Sequence, residues 1–89
     1  MNILSSELFQ KQLEEILTTF AKEDLKATQD FKMYLDTIIL NMPSKVKKFK
    51  PSIFFDDENI RDIEHQGFSI PFLVAPEKDT FVILGIVKK

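Results

Sequence analysis

The spacing of apolar residues changes midway along this 89-residue chain. In the first half they recur at steps of four, three, one and three, which is typical of one face of an α-helix. The pattern occurs twice, first at Phe9, Leu13, Ile16, Leu17 and Phe20 and then at Phe31, Leu35, Ile38, Ile39 and Met42. In the second half apolar residues alternate or run continuously, which is typical of β-strands. This order predicts an α+β protein in which a helical hairpin precedes a sheet.

Polar residues mark the ends of both predicted helices. Ser5 and Ser6 can supply an N-cap for the first helix, and Asp24 can cap the second. Residues 21–24 form a short connector, so the two helices are expected to be antiparallel. Pro43 is expected to end the second helix, because helical geometry is disfavoured for the residue before a proline.

Three strands are predicted after a break at residues 44–52, namely residues 59–65, 68–74 and 80–87. Their short connections favour an antiparallel meander, to which residues 1–4 could add a fourth strand. The stretch 80–87 is almost continuously apolar, so it is predicted as one central strand buried on both faces. Neither helix can bury its apolar stripe alone. The expected fold is therefore a helical hairpin packed on one face of a three- to four-stranded antiparallel sheet, in a single domain over residues 1–89.

Pro71 does not fit the strand in which it lies. Proline has no N–H to donate to a neighbouring strand, so within sheets it occurs at edges or bulges. We expect the nitrogen of Pro71 to face no partner strand.

Composition argues against several classes of function. The chain has 12 Lys and Arg against 14 Asp and Glu, whereas general nucleic-acid binders usually have a strong basic excess. It has no cysteine, which excludes disulfides, thiolate metal sites and a thiol nucleophile. No apolar run approaches the ~20 residues of a membrane span, and no secretory signal is visible. We expect a cytoplasmic protein with no membrane attachment, and we predict no metal or cofactor site.

Several segments, in this order, resemble the RelE/ParE superfamily of toxins. Arg61-Asp62-Ile63 is similar to the family's Arg–acid–apolar strand, and Met42-Pro43 to the end of its second helix. The segments Gly67-Phe68-Ser69-Ile70-Pro71-Phe72 and Ile83-Leu84-Gly85-Ile86 resemble its last two strands. The resemblance implies the toxin of a type II toxin–antitoxin system, held inactive by a cognate antitoxin. Such toxins either block DNA gyrase, as ParE-type members do, or cleave mRNA on the ribosome, as RelE-type members do.

The residues typical of the nuclease members are mostly missing. Ser69 stands where such nucleases often have an arginine, and the chain ends at Lys89, before the arginine and aromatic residue that usually close them. Arg61, the only arginine, and His65, the only histidine, are the candidate catalytic residues, as phosphate clamp and proton carrier. Each also has a structural interpretation: Arg61 could pair with the acidic residues 56–58, and His65 could be a half-buried strand residue.

A lysine cluster is the candidate surface for a target. It consists of Lys45, Lys47, Lys48 and Lys50. Locally dense cations bind phosphate, so this cluster and Arg61 could contact nucleic acid, a ribosome or a partner protein, although a solvated loop is the alternative. Asp62 and Glu64 lie on one face of a predicted strand. Their spacing would suit an acid–base pair or a metal site, and the alternative is that both are simply solvated. An apolar patch that the helices leave uncovered would suit an antitoxin helix or strand.

These observations favour binding over catalysis. The first hypothesis is a toxin that inhibits DNA gyrase in the manner of ParE, or one whose activity has decayed. The second is a ribosome-dependent mRNA endonuclease, and the third is a small interaction domain that shares only the fold.

Overall fold

The computed structural model describes residues 2–89 of the chain. In order, its elements are β1 Asn2–Ser5, α1 Glu7–Ala21, α2 Leu25–Asn41, β2 Lys50–Pro51, β3 Ile60–His65, β4 Phe68–Ala75, β5 Thr80–Ile83 and β6 Val87–Lys88, with 3₁₀ segments at Met42–Lys48 and Pro76–Lys78. The predicted N-terminal strand is present as β1, although Met1, which the prediction included, lies outside the described residues. None of the helices in residues 2–89 has the length and apolarity needed to cross a bilayer.

The predicted helix caps are confirmed. The amide of Phe9 donates to Ser6 Oγ at 3.0 Å, and the amide of Ala27 donates to Asp24 Oδ1 at 3.0 Å. After α2 the chain continues as a 3₁₀ segment, so the expected break at residues 44–52 is partly wrong. Proline is compatible with the first turn of a helix, where its missing N–H is not needed. A new turn can therefore begin at the position where α2 ends.

The sheet is mixed, which corrects the expectation of a purely antiparallel sheet. Its strand order is β1-β5-β4-β3-β2, with β6 also paired to β4. Short turns make β3, β4 and β5 antiparallel; the turn between β3 and β4 contains only Gln66 and Gly67, both with positive φ. By contrast, β1 pairs in parallel with β5. No short turn joins these two strands, since the whole helical hairpin and the meander lie between them.

Both helices lie on one face of the sheet, as predicted. The core contains Phe9, Leu13, Phe31, Leu35, Met42, Ile63, Phe68, Ile70, Phe72, Phe81, Ile83 and Ile86. We call this side of the sheet the helix-covered face. Side chains alternate along a strand, so Asp62, Glu64, Ser69, Pro71 and Leu73 lie on the opposite side, the open face.

The last predicted strand is interrupted, so the expectation of one central strand over 80–87 is wrong. Residues 84–86 separate β5, which pairs with the second half of β4, from β6, which pairs with its first two residues. Pro71 lies opposite this interruption: its carbonyl oxygen accepts from the amide of Leu84 at 2.9 Å. In a β-strand the nitrogen of a residue points to the same side as its carbonyl. Pro71 therefore has no hydrogen to give to Leu84, as expected of a proline at a bulge.

Helix α1 supplies the groups that the interrupted ladder lacks. Ser6 Oγ donates to the carbonyl oxygen of Leu84 at 2.8 Å. Gln12 Oε1 accepts from the amide of Ile86 at 3.0 Å. Backbone groups that leave a ladder need other partners when they are buried. The N-cap residue of α1 and one side chain within the helix thus complete the sheet where β5 ends.

Candidate functional site

Arg61 holds the segment that follows α2 against the sheet. Its Nη1 donates to the carbonyl oxygen of Phe49 at 2.6 Å. The ring of Phe49 in turn packs edge-on against Phe72, with centroids 5.5 Å apart. The hydrogen bond of Arg61 goes to the carbonyl oxygen of Phe49, which precedes β2 in the sequence, whereas the acidic residues 56–58 follow β2. The alternative in which Arg61 pairs with those acidic residues is therefore not realised.

The lysine cluster lies at the β2 edge of the sheet. Lys45, Lys47 and Lys48 are exposed on the 3₁₀ segment. Lys50 is exposed on β2, where it pairs with Asp62 of β3 and so faces the open face. The bond from Arg61 to Phe49, which lies between Lys48 and Lys50, places this row of cations beside β3.

His65 lies beneath α2, on the helix-covered face. Its side chain is 8% exposed, and its ring centroid is 4.8 Å from that of Phe31. Its Nε2 is 3.2 Å from the carbonyl oxygen of Phe31, a contact that requires the proton on Nε2. The candidate proton carrier and the exposed lysines are therefore not brought together on one surface.

A segment that the sequence did not single out covers part of the open face. We call residues 52–59 the flap. Its first end is held by the amide of Ser52, which donates to the carbonyl oxygen of Ile60 at 2.8 Å, and by the amide of Ile53, which donates to Asp62 Oδ2 at 3.1 Å. At its other end the carbonyl oxygen of Asn59 accepts from the amide of Val74 at 2.8 Å. Yet Ile53, Phe54 and Phe55 are 79%, 48% and 44% exposed. Three consecutive apolar residues at this exposure are unusual in a soluble loop and indicate a contact surface.

Two clefts lie at the margins of the flap. The apolar cleft, of about 270 Å³, is lined by Leu8, Gln12, Phe54, Phe55, Pro71, Leu84, Gly85, Val87 and Lys88. The polar cleft, of about 300 Å³, is lined by Lys48, Phe49, Lys50, Pro51, Ile53, Asp62 and Glu64. The apolar cleft is the uncovered apolar patch that the sequence suggested. The position of both clefts depends on the path of the flap, for which the sequence contains no periodic signal.

Asp62 is buried under the flap although it lies on the open face. Its side chain is 8% exposed, and its Oδ1 has no hydrogen-bond partner among residues 2–89. Leaving a buried acceptor without a partner costs about 1–3 kcal/mol, and such groups often mark a functional position. The alternative in which both Asp62 and Glu64 are simply solvated therefore applies only to Glu64.

Glu64 connects β3 with the C-terminus. Its Oε1 is 2.8 Å from the Nζ of Lys89. The hydrogen bond and the positive charge of Lys89 together lower the pKa of Glu64 below its ordinary value. On the open face, the carboxylate of Glu64 is thus paired with a cation, whereas the carboxylate of Asp62 is not. Within residues 2–89 no group of three or more acidic or histidine side chains could hold a metal ion.

Solved structures share this arrangement over nearly their whole length. A chain described as the chromosomal ParDE TA system from P. aeruginosa aligns with a TM-score of 0.65 at 19% identity, covering 99% of this chain and 95% of that chain. This chain therefore shares its fold with that chain of the ParDE system. A conserved hypothetical protein from Helicobacter pylori, solved in solution, aligns with a TM-score of 0.61 at 16% identity, covering 99% and 93%. No protein-family model and no curated protein sequence matches the chain. At these identities the likeness is one of fold, and the fold expected from the resemblance is confirmed.

Proposed function

We propose that this protein is the toxin of a type II toxin–antitoxin module, acting in the cytoplasm as one domain over residues 1–89 and held inactive by a cognate antitoxin. The observation that carries this proposal is the likeness to a chain of the ParDE system over 99% of this chain and 95% of that one. Both clefts of the open face and the exposed residues of the flap offer an antitoxin a surface to cover.

The proposed action is binding of a target, with DNA gyrase as the target that the resemblance to ParE implies. Two observations support binding over catalysis. Arg61 is occupied by the carbonyl oxygen of Phe49, and His65 lies under α2 against Phe31. The exposed cations of Lys45, Lys47, Lys48 and Lys50 remain the candidate contacts with the target.

Growth after induction tests the toxin assignment. Expression of the protein alone should stop growth of a bacterial host, and co-expression of the small gene adjacent to its own should restore it. The double variant Lys47→Ala/Lys48→Ala should weaken the arrest, whereas Lys22→Ala, which removes an exposed lysine at the end of α1, should not. Normal growth with soluble, folded protein in the cells would contradict the proposal.

A supercoiling assay tests the target. Purified protein should inhibit DNA gyrase, and the purified complex with its antitoxin should not. If gyrase is unaffected while growth still stops, primer extension on translated messages decides the alternative. Discrete new 5′ ends that disappear with Arg61→Ala or His65→Ala would assign RNA cleavage on the ribosome instead.

A further inference from the structure

The polar cleft contains a hydrogen-bond acceptor that the chain itself leaves unused. Asp62 Oδ2 accepts from the amide of Ile53 at 3.1 Å, while Oδ1 has no partner among residues 2–89. Lys50 is the nearest cation along the sheet, since its Cα pairs with that of Asp62. The two side chains nevertheless form no ion pair, and Lys50 is exposed. Because Oδ1 is enclosed in the free protein, a donor from outside the chain reaches it once the flap moves aside.

The walls of the cleft select the kind of donor. Phe49, Pro51 and Ile53 present apolar surfaces beside Asp62. A guanidinium is planar, weakly hydrated and able to stack on such surfaces while one of its N–H groups donates to a carboxylate oxygen. An ammonium is strongly hydrated and would have to lose water with only one free acceptor beside it. The geometry therefore fits an arginine better than a lysine.

The rim of the cleft adds a second requirement. Lys48 and Lys50 line it and repel an approaching cation. Glu64 offsets them only in part, because its main partner is Lys89 and the charge of Lys50 has a smaller effect on it. A carboxylate next to the arginine in the incoming segment would neutralise this repulsion.

We infer that the polar cleft binds an arginine side chain of a protein partner, with an acidic residue beside that arginine in the partner's sequence. The arginine donates to Asp62 Oδ1, and the acidic neighbour faces Lys48 and Lys50. Identifying the partner with the antitoxin rests on the proposed function; the site itself does not. Because Ile53 of the flap shares the carboxylate of Asp62, an occupied cleft also holds the flap in place.

The site is tested with two peptides that differ in one group. Acetyl-Glu-Arg-amide and acetyl-Glu-citrulline-amide have nearly the same shape, but citrulline is uncharged. In amide NMR spectra of the whole protein, the arginine peptide should shift the signals of Ile53, Asp62 and Glu64 to saturation, and the citrulline peptide should not. Equal shifts with both peptides, or no saturable shift with either, would overturn the inference.

Two matched variants locate the effect. Asp62→Asn should weaken binding of the arginine peptide by about tenfold or more, as expected when a charge-assisted bond to a buried acceptor is lost. Asp56→Asn, which removes an exposed carboxylate from the flap, should leave it unchanged. Unchanged binding with Asp62→Asn would exclude the site. If Asp62→Asn fails to fold, the comparison between the two peptides on the unaltered protein still decides.

The outcomes separate this inference from the proposed function. If the peptides show no discrimination while the adjacent gene still rescues growth, the protein is a toxin whose antitoxin binds elsewhere. If the arginine peptide binds at Asp62 but induction leaves growth normal, the cleft is a binding site on a protein with another role. A high-resolution structure in which an ordered water stays on Oδ1 with the arginine peptide present would also refute the inference.

Discussion

Two polar residues three positions apart on β3, Asp62 and His65, have opposite roles in this protein. His65 faces the helices and joins β3 to α2 through the ring and the carbonyl oxygen of Phe31. Asp62 faces the open side and is buried by the flap with one oxygen unsatisfied. Side chains alternate along a strand, so the parity of a position decides which environment it meets. This is why Asp62 and not His65 is the more promising group for binding.

Replacement of His65 tests its structural role. His65→Ala should lower the free energy of unfolding by about 2–3 kcal/mol, because it removes a packed ring and a buried hydrogen bond. Urea denaturation measures this, with Lys22→Ala, expected within about 0.5 kcal/mol of the original protein, as control. A cost no larger than that of the control would mean that the ring is not packed against Phe31.

The pair of Glu64 and Lys89 predicts a dependence of stability on pH. Lys89 lowers the pKa of Glu64 in the folded protein, so the unfolded chain takes up this proton first as pH falls. The contribution is fully present above the unfolded pKa of Glu64 and is lost as pH falls through its lower folded pKa. Melting temperatures should show Glu64→Gln slightly less stable than the original at neutral pH, and the difference should vanish in acid. A difference that persists at the lowest pH would point to a cause other than this charge.

At the level of elements, α1 packs on the sheet and also supplies hydrogen-bond partners where the last strand is interrupted. Its N-cap residue, Ser6, bonds to Leu84, and Gln12 in its second turn bonds to Ile86. The interruption of the last strand is possible because Pro71 cannot donate there and these two side chains replace the lost partners. A helix whose polar side chains complete a ladder is held in one register and one orientation on the sheet.

Ser6 should therefore contribute more than an ordinary N-cap. Ser6→Ala removes the acceptor for Phe9 and the donor to Leu84, and should cost about 2 kcal/mol, the upper end of the range for caps. Ser5→Ala, one position earlier and exposed, is the matched control and should cost little. Equal losses of unfolding free energy for the two variants would show that the bond to Leu84 has no net effect.

Gly85 and Gln12 should behave as a coupled pair. A Cβ at Gly85 would lie 2.9 Å from Gln12 Oε1, so Gly85→Ala must move the side chain that accepts from Ile86. We expect a loss of about 1 kcal/mol for Gly85→Ala alone, and a smaller loss when Gln12→Ala is already present. A double-mutant cycle of unfolding free energies measures the difference. Additive losses would argue against the contact.

At the scale of the whole molecule, the two faces of the sheet are covered in different ways. The helical hairpin packs on one face through an extensive apolar core, whereas the flap covers part of the other through few bonds. The stable half of the molecule therefore lies between the helices and β4, and the open face is the side that can adapt to a partner.

Amide hydrogen exchange should reflect this asymmetry. Amides of β4, which has paired neighbours on both sides, should exchange most slowly, and amides of the flap should exchange fastest among the residues between β2 and β6. The amide of Ile53 should slow when a partner occupies the polar cleft. Protection of the flap equal to that of β4 in the free protein would contradict this description.

Local patterns determined much of the fold. The sequence predicted the apolar stripe from Phe9 to Phe20, the helix caps Ser6 and Asp24, and the alternation in β4. Each of these features depends on residues within a few positions of one another. The resemblance to the RelE/ParE superfamily likewise used short motifs and their order, and the fold it implied is the one found.

Only the tertiary structure decided the parallel pairing of β1, the interruption of the last strand and the covering of Asp62 by the flap. Each depends on contacts between distant parts of the chain: Ser6 and Leu84, for example, are 78 positions apart. No local propensity encodes such a contact, because its free energy arises only when the core brings the two segments together. The sequence thus determined which elements form, and the packing of the helices and the flap on the sheet determined which polar groups remain free to bind.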